Sequence, residues 1–301
     1  MVNVMYNDPI SYIEPVFRPP SEAKSLILPV TNGCSWNKCT FCEMYTQEQK
    51  KFRAKKDEDI LEDIKRAATL LPGTKRVFLA DGDAMVLSTR RLLQILQWLK
   101  EYFPQLERVS SYCLPRNIAK KTVEDLSKMR RGGLGILYVG LESGDNEVLE
   151  LVNKGETYQS SVDALKKIKA SGIESSVMVL SGLGGDKLSK QHAVNSARAV
   201  NEAQPDYVST LVVSFPTGED RFRQGFPEFK VLTQEQLFEE LYEFIDNLDL
   251  EDSVFRSDHA SNYLPLKGVL GRDKQKLLHQ LDLAINQPDK VLLRQEWQRG
   301  L

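Results

Sequence analysis

Ser25-Leu-Ile-Leu-Pro-Val-Thr-Asn-Gly-Cys34-Ser-Trp-Asn-Lys-Cys39-Thr-Phe-Cys42 joins an apolar run to three closely spaced thiols. The run from Ser25 to Thr31 reads as a buried strand, and Asn32-Gly33 as the break at its C-terminal end. In α/β folds that end of the strands is where active sites are built. Only one other cysteine, Cys113, occurs in the 301 residues. Clustered thiolates are soft ligands that suit zinc or an iron–sulfur cluster. Three is one short of the four that a closed zinc site or a ferredoxin-type cluster takes. A four-iron cube held by three cysteines leaves one iron without a protein ligand, open for chemistry. The competing reading is a zinc knuckle with His192 or His259 as fourth ligand. Zinc sites usually place their last ligands close behind in sequence, and neither histidine is near.

Outward from this loop the pattern is strand then helix, repeated. Predicted helices cover about Asp57 to Leu71, Thr89 to Tyr102, Lys120 to Arg130, Ser160 to Ala170 and Ser189 to Ala203. Between them lie predicted strands at Arg76–Ala80, Arg108–Cys113, Ile136–Gly140, Glu174–Leu180 and Tyr207–Val213. Six βα-like units imply an α/β fold with parallel strands and right-handed crossovers. An open doubly wound sheet and a partial barrel fit this alternation equally. Residues 1–24, with Pro15, Pro19 and Pro20, read as an irregular N-terminal arm, and 25–214 as the core. Residues 215–301 read as a helical C-terminal extension packed on the core, with helices at Thr233 to Leu248 and Arg272 to Ile285.

Polar groups gather at the strand ends. Asp81-Gly82-Asp83 alone is a common turn composition, but carbonyls and an acid also suit an ammonium, which only donates hydrogen bonds. Gly140-Leu141-Glu142-Ser143-Gly144 reads as a strand-to-helix turn with Ser143 capping the helix that begins near Asn146. Ser181-Gly182-Leu183-Gly184-Gly185 lacks the full G-x-G-x-x-G phosphate fingerprint. Its glycines permit a ring to approach the main chain closely. Cys113 reads as a small buried hydrophobe, and Arg116 follows the third strand end directly. His192 and His279 fall on helical patterns and read as ordinary surface or packing residues.

The cysteine loop resembles that of radical S-adenosylmethionine (SAM) enzymes, with one residue more between its first two cysteines, C-x4-C-x2-C. Phe41 fills the aromatic position before the last cysteine. Gly-Leu-Glu-Ser-Gly, and Lys154-Gly155 downstream, resemble the Elp3, MiaB and coproporphyrinogen-oxidase branch. The resemblance covers about Leu26 to Val213 and implies a (βα)6 partial TIM-type barrel. It implies a [4Fe-4S] cluster on Cys34, Cys39 and Cys42, and SAM contacts from Phe41, Gly82, Asp83, Glu142, Ser143, Gly182 and Gly184. In that reading Gly82 and Asp83 meet the SAM amino group, Glu142 the ribose and Ser143 the methionine carboxylate. Gly182 and Gly184 lie beside the adenine. The implied activity is reductive cleavage of SAM to a 5′-deoxyadenosyl radical that abstracts hydrogen from a small-molecule substrate. An electron donor such as flavodoxin or ferredoxin is expected as a partner. Alternatives are modification of a macromolecule, such as tRNA or protein, and an iron–sulfur electron-transfer or sensor protein without turnover. The polar stretch Arg256 to Tyr263 reads either as a hydrogen-bonded connection or as a loop closing the barrel mouth. His259, Asn262 and Arg116 are thus the candidate substrate-facing residues.

Composition sets outer bounds. A formal charge of −2 shows no basic field for nucleic acid. No apolar stretch approaches the ~20 residues that span a bilayer. No charged n-region precedes an apolar run at the N-terminus. Few cysteines at ligand spacing favour a reducing cytoplasm over a disulfide scaffold.

Overall fold

The structure is a computed structural model and describes residues 9–300. Eight strands hydrogen-bond in chain order: β1 (Leu26–Pro29), β2 (Arg76–Ala80), β3 (Arg108–Cys113), β4 (Leu134–Glu142), β5 (Glu174–Ser181), β6 (Tyr207–Val212), β7 (Val254–Ser257) and β8 (Leu266–Val269). The pairs β1–β2, β2–β3, β5–β6 and β6–β7 are parallel, and β8 returns antiparallel to β7. The main helices are α1 (Asp57–Leu70), α2 (Thr89–Tyr102), α3 (Val123–Arg131), α4 (Tyr158–Ala170), α5 (Gly185–Ala203), α6 (Gln234–Asp246) and α7 (Lys274–Asn286). Strand residues Leu28, Val77, Phe78, Leu79, Val109, Leu137 and Val177 are buried, as expected of parallel strands covered on both faces.

The chain divides into two compact units. The first holds residues up to Asn37, Met44–Leu137 and Ser171–Ile173; the second holds Lys38–Glu43, Tyr138–Ala170 and Glu174 onward. The division runs through the cysteine loop and through β4. In the first unit β1 and β2 are in register from Leu26↔Val77 to Pro29↔Ala80. The described part of the N-terminal arm is tied down there. Ile10 is buried, and Tyr12 donates its hydroxyl to the Ile27 carbonyl at 2.9 Å. Residues 1–8 of the predicted arm lie outside the described residues.

The C-terminal extension carries both predicted helices and also contributes β7 and β8 to the sheet. Two expectations are corrected. The third helix starts at Val123 rather than Lys120: Thr122 accepts from the Asp125 amide while Asp125 accepts from the Thr122 amide. This reciprocal pair fixes a helix start. A short helix, Pro115–Ala119, stands where only a strand end was read.

Candidate functional site

In the first unit β2 ends in the acid–glycine–acid turn. Gly82 lies under the buried Tyr45, and a Cβ there would come within 2.6 Å of the ring. Only glycine fits without displacing it. Asp83 is fully buried, and both carboxylate oxygens are engaged, one by the Ser35 hydroxyl and the other by the Asn117 amide. Burial raises its carboxyl above the ordinary value against the pull of these bonds and of Lys121. Lys121 is itself lowered by burial and donates to the carbonyls of Met85 and Leu87 at 2.8 and 2.9 Å. Asp81 pairs with the buried Lys50 and accepts from the Gly33 amide at 3.1 Å. The start of the cysteine loop is thereby stitched to the end of β2. Arg116 stacks on Trp36, 3.9 Å from guanidinium carbon to ring centroid.

In the second unit β4 ends at Glu142, whose φ of 62° is rare for a side-chain-bearing residue. The Ser143 amide donates to the Leu141 carbonyl at 2.8 Å, closing a three-residue turn with Glu142 at its centre. Such turns are strained and cluster at functional sites. Glu142 Oε1 accepts from Lys154 Nζ at 3.0 Å, with both side chains buried. Glu142 Oε2 is also buried and, among the described residues, has no hydrogen-bond partner. Gly140 makes room for this carboxylate, since a Cβ there would sit 2.0 Å from Oε1. Burial alone would pull the Lys154 ammonium down. Glu142, and then the thiols of Cys39 and Cys42, outweigh it and hold that group above the ordinary lysine range. Lys154 also lies 5.8 Å from the Phe41 ring centroid. The Thr40 amide bonds the Val152 carbonyl at 2.9 Å, and Arg221 donates to the Cys42 carbonyl.

Ser143 is not the helix cap read from the sequence. Asp145 takes that place, accepting from the Val148 amide. Ser143 is fully buried; its Oγ accepts from the Asp145 amide at 3.0 Å and lies 2.8 Å from His192 Nδ1. His192, read as an ordinary helix residue, is 1% exposed. It faces Glu240 of α6, which accepts from the Gly182 amide at 2.6 Å. Nothing near His192 or Glu240 in sequence signals this pairing, since each sits alone on an amphipathic helix. Gly184 begins α5 as its N-cap.

The polar stretch after β7 finds its partners inside the protein. Asn262 Nδ2 donates to the Thr210 carbonyl at 2.8 Å, and its Oδ1 accepts from the Val212 amide at 3.1 Å. His259 Nδ1 lies 2.9 Å from Ser261 Oγ, and burial lowers its pKa. Arg294 donates to the carbonyls of His259 and Asn262. Bound substrate is thus not required to satisfy these groups.

Among the described residues no three His, Cys, Asp or Glu side chains form a group that holds a metal ion. Ligation by Cys34, Cys39 and Cys42 therefore rests on the donor set and its spacing. The three thiols are half-buried, with Lys154 charge-complementary to two of them. The unpartnered Glu142 oxygen supplies an acceptor of the kind a ribose hydroxyl requires. By donor chemistry alone, thiolates suit an iron–sulfur cluster and the Glu142 oxygen suits a ribose hydroxyl.

Residues 28–198 match the radical SAM superfamily, and the chain belongs to that family. It is accordingly an enzyme whose cofactors are a [4Fe-4S] cluster and SAM, in a family whose members need a substrate and a reductant. A protein of Pyrococcus horikoshii named an uncharacterized methyltransferase is 27% identical over 150 residues, 49% of this chain and 30% of that one. The chain thus aligns with less than a third of that relative's length. Coproporphyrinogen III oxidase of Escherichia coli superposes with a TM-score of 0.54 at 17% identity, over 74% of this chain and 51% of the other. Methylornithine synthase superposes at 0.51 and 18% identity, over 85% and 68%. These likenesses establish the partial TIM-type barrel fold. Among the described residues no helix is long and apolar enough to cross a membrane.

Proposed function

We propose that Cys34, Cys39 and Cys42 hold the [4Fe-4S] cluster, that SAM binds beside it, and that the substrate is a small molecule. The observation that carries the reading is the buried, unpartnered Oε2 of Glu142, in a strained turn beside a lysine charge-coupled to two of the thiols. An unmade hydrogen bond on a buried oxygen is costly, about 1–3 kcal/mol, and a ligand hydroxyl removes that cost. The chemistry supplied by the bound pair is one-electron cleavage of SAM to methionine and a 5′-deoxyadenosyl radical, which takes a hydrogen atom from the substrate.

The protein's part is ligation, orientation and exclusion of water. Lys154 offsets thiolate charge and holds one oxygen of Glu142, leaving the other for the ribose. Phe41 covers Lys154 from the loop side. The carbonyls at Gly82 and Asp83 receive the SAM ammonium, since both Asp83 carboxylate oxygens already accept bonds from Ser35 and Asn117. Gly182 and Gly184 lie along the adenine, and Ser143 anchors the Glu142 turn. Arg116, stacked on Trp36, faces substrate, whereas Asn262 and His259 brace the end of β6. A flavodoxin or ferredoxin in a reducing cytoplasm supplies the electron. The net charge of −2 gives no field for a nucleic-acid substrate. Methyl transfer is a second reading, drawn from the Pyrococcus relative's name.

The test is anaerobic reconstitution followed by iron and sulfide analysis. About one four-iron cluster per chain is expected. It should be lost on replacing Cys34, Cys39 or Cys42 by Ala and kept in Cys113→Ala. Zinc in full complement, with no iron, would reject the assignment.

A further inference from the structure

His192 lies on α5 with both ring nitrogens facing polar partners. Nδ1 is 2.8 Å from Ser143 Oγ, and Nε2 is 3.9 Å from Glu240 Oε1. Glu240 is 4% exposed and spends both oxygens as acceptors: Oε1 takes the Gly182 amide and Oε2 the Ser189 hydroxyl, each at 2.6 Å. Facing only lone pairs, Nε2 carries the ring proton, and Nδ1 is left as an acceptor. Ser143 therefore donates its hydroxyl proton to Nδ1 while accepting from the Asp145 amide at 3.0 Å. A cavity of about 10 Å³ bounded by His192, Glu240, Ser181 and Thr210 is of the size of one water. No other side chain fits between the imidazole and the carboxylate.

The chain of polar contacts Asp145–Ser143–His192–Glu240–Gly182, hydrogen-bonded at every step except the 3.9 Å approach of His192 to Glu240, joins two turns that follow neighbouring strands. One carries Glu142 at φ 62°, and the other turns on Gly182 at φ 83°. We propose that His192 and Glu240 are positioning residues that lock these two turns together, and so set the binding of the nucleoside half of SAM without touching it. The inference rests on the reading of Glu142 and Gly182 as SAM-facing. A turn held in a rare conformation keeps it only when surrounding bonds over-determine it. Here one bond comes from His192 of α5 and the other from Glu240 of α6, a helix beyond the six βα units. Apolar side chains would fill the same space, whereas buried polar partners specify one arrangement.

The experiment compares equilibrium binding of SAM and of L-methionine to the reconstituted enzyme. His192→Leu should weaken SAM about tenfold, the worth of one lost hydrogen bond, and leave methionine unchanged. His192→Asn, whose carbonyl can accept the Ser143 proton, should restore most of the affinity. Glu240→Gln, which removes the charge facing Nε2, should fall between the two. Parental SAM affinity in folded His192→Leu, or an equal loss for SAM and methionine, overturns the proposal. If His192→Leu does not fold, Glu240→Gln decides, and parental SAM affinity there overturns it too. Glu142→Ala separates the two levels. Parental SAM affinity in that variant rejects the SAM-facing reading and the proposal with it. A weakened Glu142→Ala beside an unaffected His192→Leu rejects the proposal alone.

Discussion

Asp83, in the turn after β2 of the first unit, and Glu142, at the end of β4 in the second, are both buried carboxylates, and they are spent differently. Asp81, paired with Lys50 in the first turn, also keeps one buried oxygen without a hydrogen-bond partner among the described residues. Asp83 has both oxygens bonded, to Ser35 and Asn117. Glu142 has one oxygen on Lys154 and the other, among the described residues, on no hydrogen-bond partner. By sequence both are acids within two residues of a glycine at a strand end. Their difference separates an acid that completes the fold from one that has acceptor capacity left for a ligand. Backbone conformation points the same way, since Glu142 sits in the left-handed region.

The largest expected effect is on the Lys154–Glu142 pair. With both side chains buried, Lys154→Met leaves a carboxylate uncompensated and should cost about 3–5 kcal/mol in urea unfolding of the cluster-free protein. Adding Glu142→Gln should recover most of that loss, because no buried charge then remains. A loss below about 1 kcal/mol would mean that the carboxylate reaches water, and the contrast with Asp83 would weaken. The Asp83 side is smaller and shows in pH dependence. Burial raises its carboxyl above the ordinary value, so between the ordinary and folded values the native state keeps a proton that the unfolded chain has released. The contribution of Asp83 to stability is therefore present at low pH and falls as pH rises through that window. Asp83→Asn should flatten this slope in acid unfolding curves. An unchanged slope would show that Asp83 is not the group responsible.

Much of this was legible before the fold. β2, β3 and α2 begin and end where the apolar runs and punctuation place them, as at Arg76–Ala80 followed by Asp81-Gly82. The six-unit alternation survives because each run is long enough to carry a period. β7 and β8 were not legible: Val254-Phe-Arg-Ser257 and Leu266-Lys-Gly-Val269 are four residues each and contain polar groups. Their strand character comes from pairing with β6 and with each other. The acid of the Glu-Ser pair stands out in the sequence as a candidate SAM contact, whereas its surroundings do not. The φ of Glu142, the spare oxygen and the grip of His192 on Ser143 are tertiary facts between residues far apart in the chain. Asn262 shows the converse. It lies in a dense polar stretch that reads either as a hydrogen-bonded connection or as a substrate-facing loop, and its side chain bonds to the backbone of β6.

The most direct measurement is the SAM dissociation constant of the reconstituted enzyme in Glu142→Ala and Asp83→Asn, side by side with the parent. If the spare oxygen of Glu142 receives the cofactor, Glu142→Ala loses about 1.5–3 kcal/mol of binding, the worth of a hydrogen bond to a charged group. Asp83→Asn, altering an acid already satisfied inside the protein, stays within about 0.5 kcal/mol of the parent, as substitutions that make no contact do. Parental affinity in Glu142→Ala, or a larger loss in Asp83→Asn than in Glu142→Ala, would contradict the account.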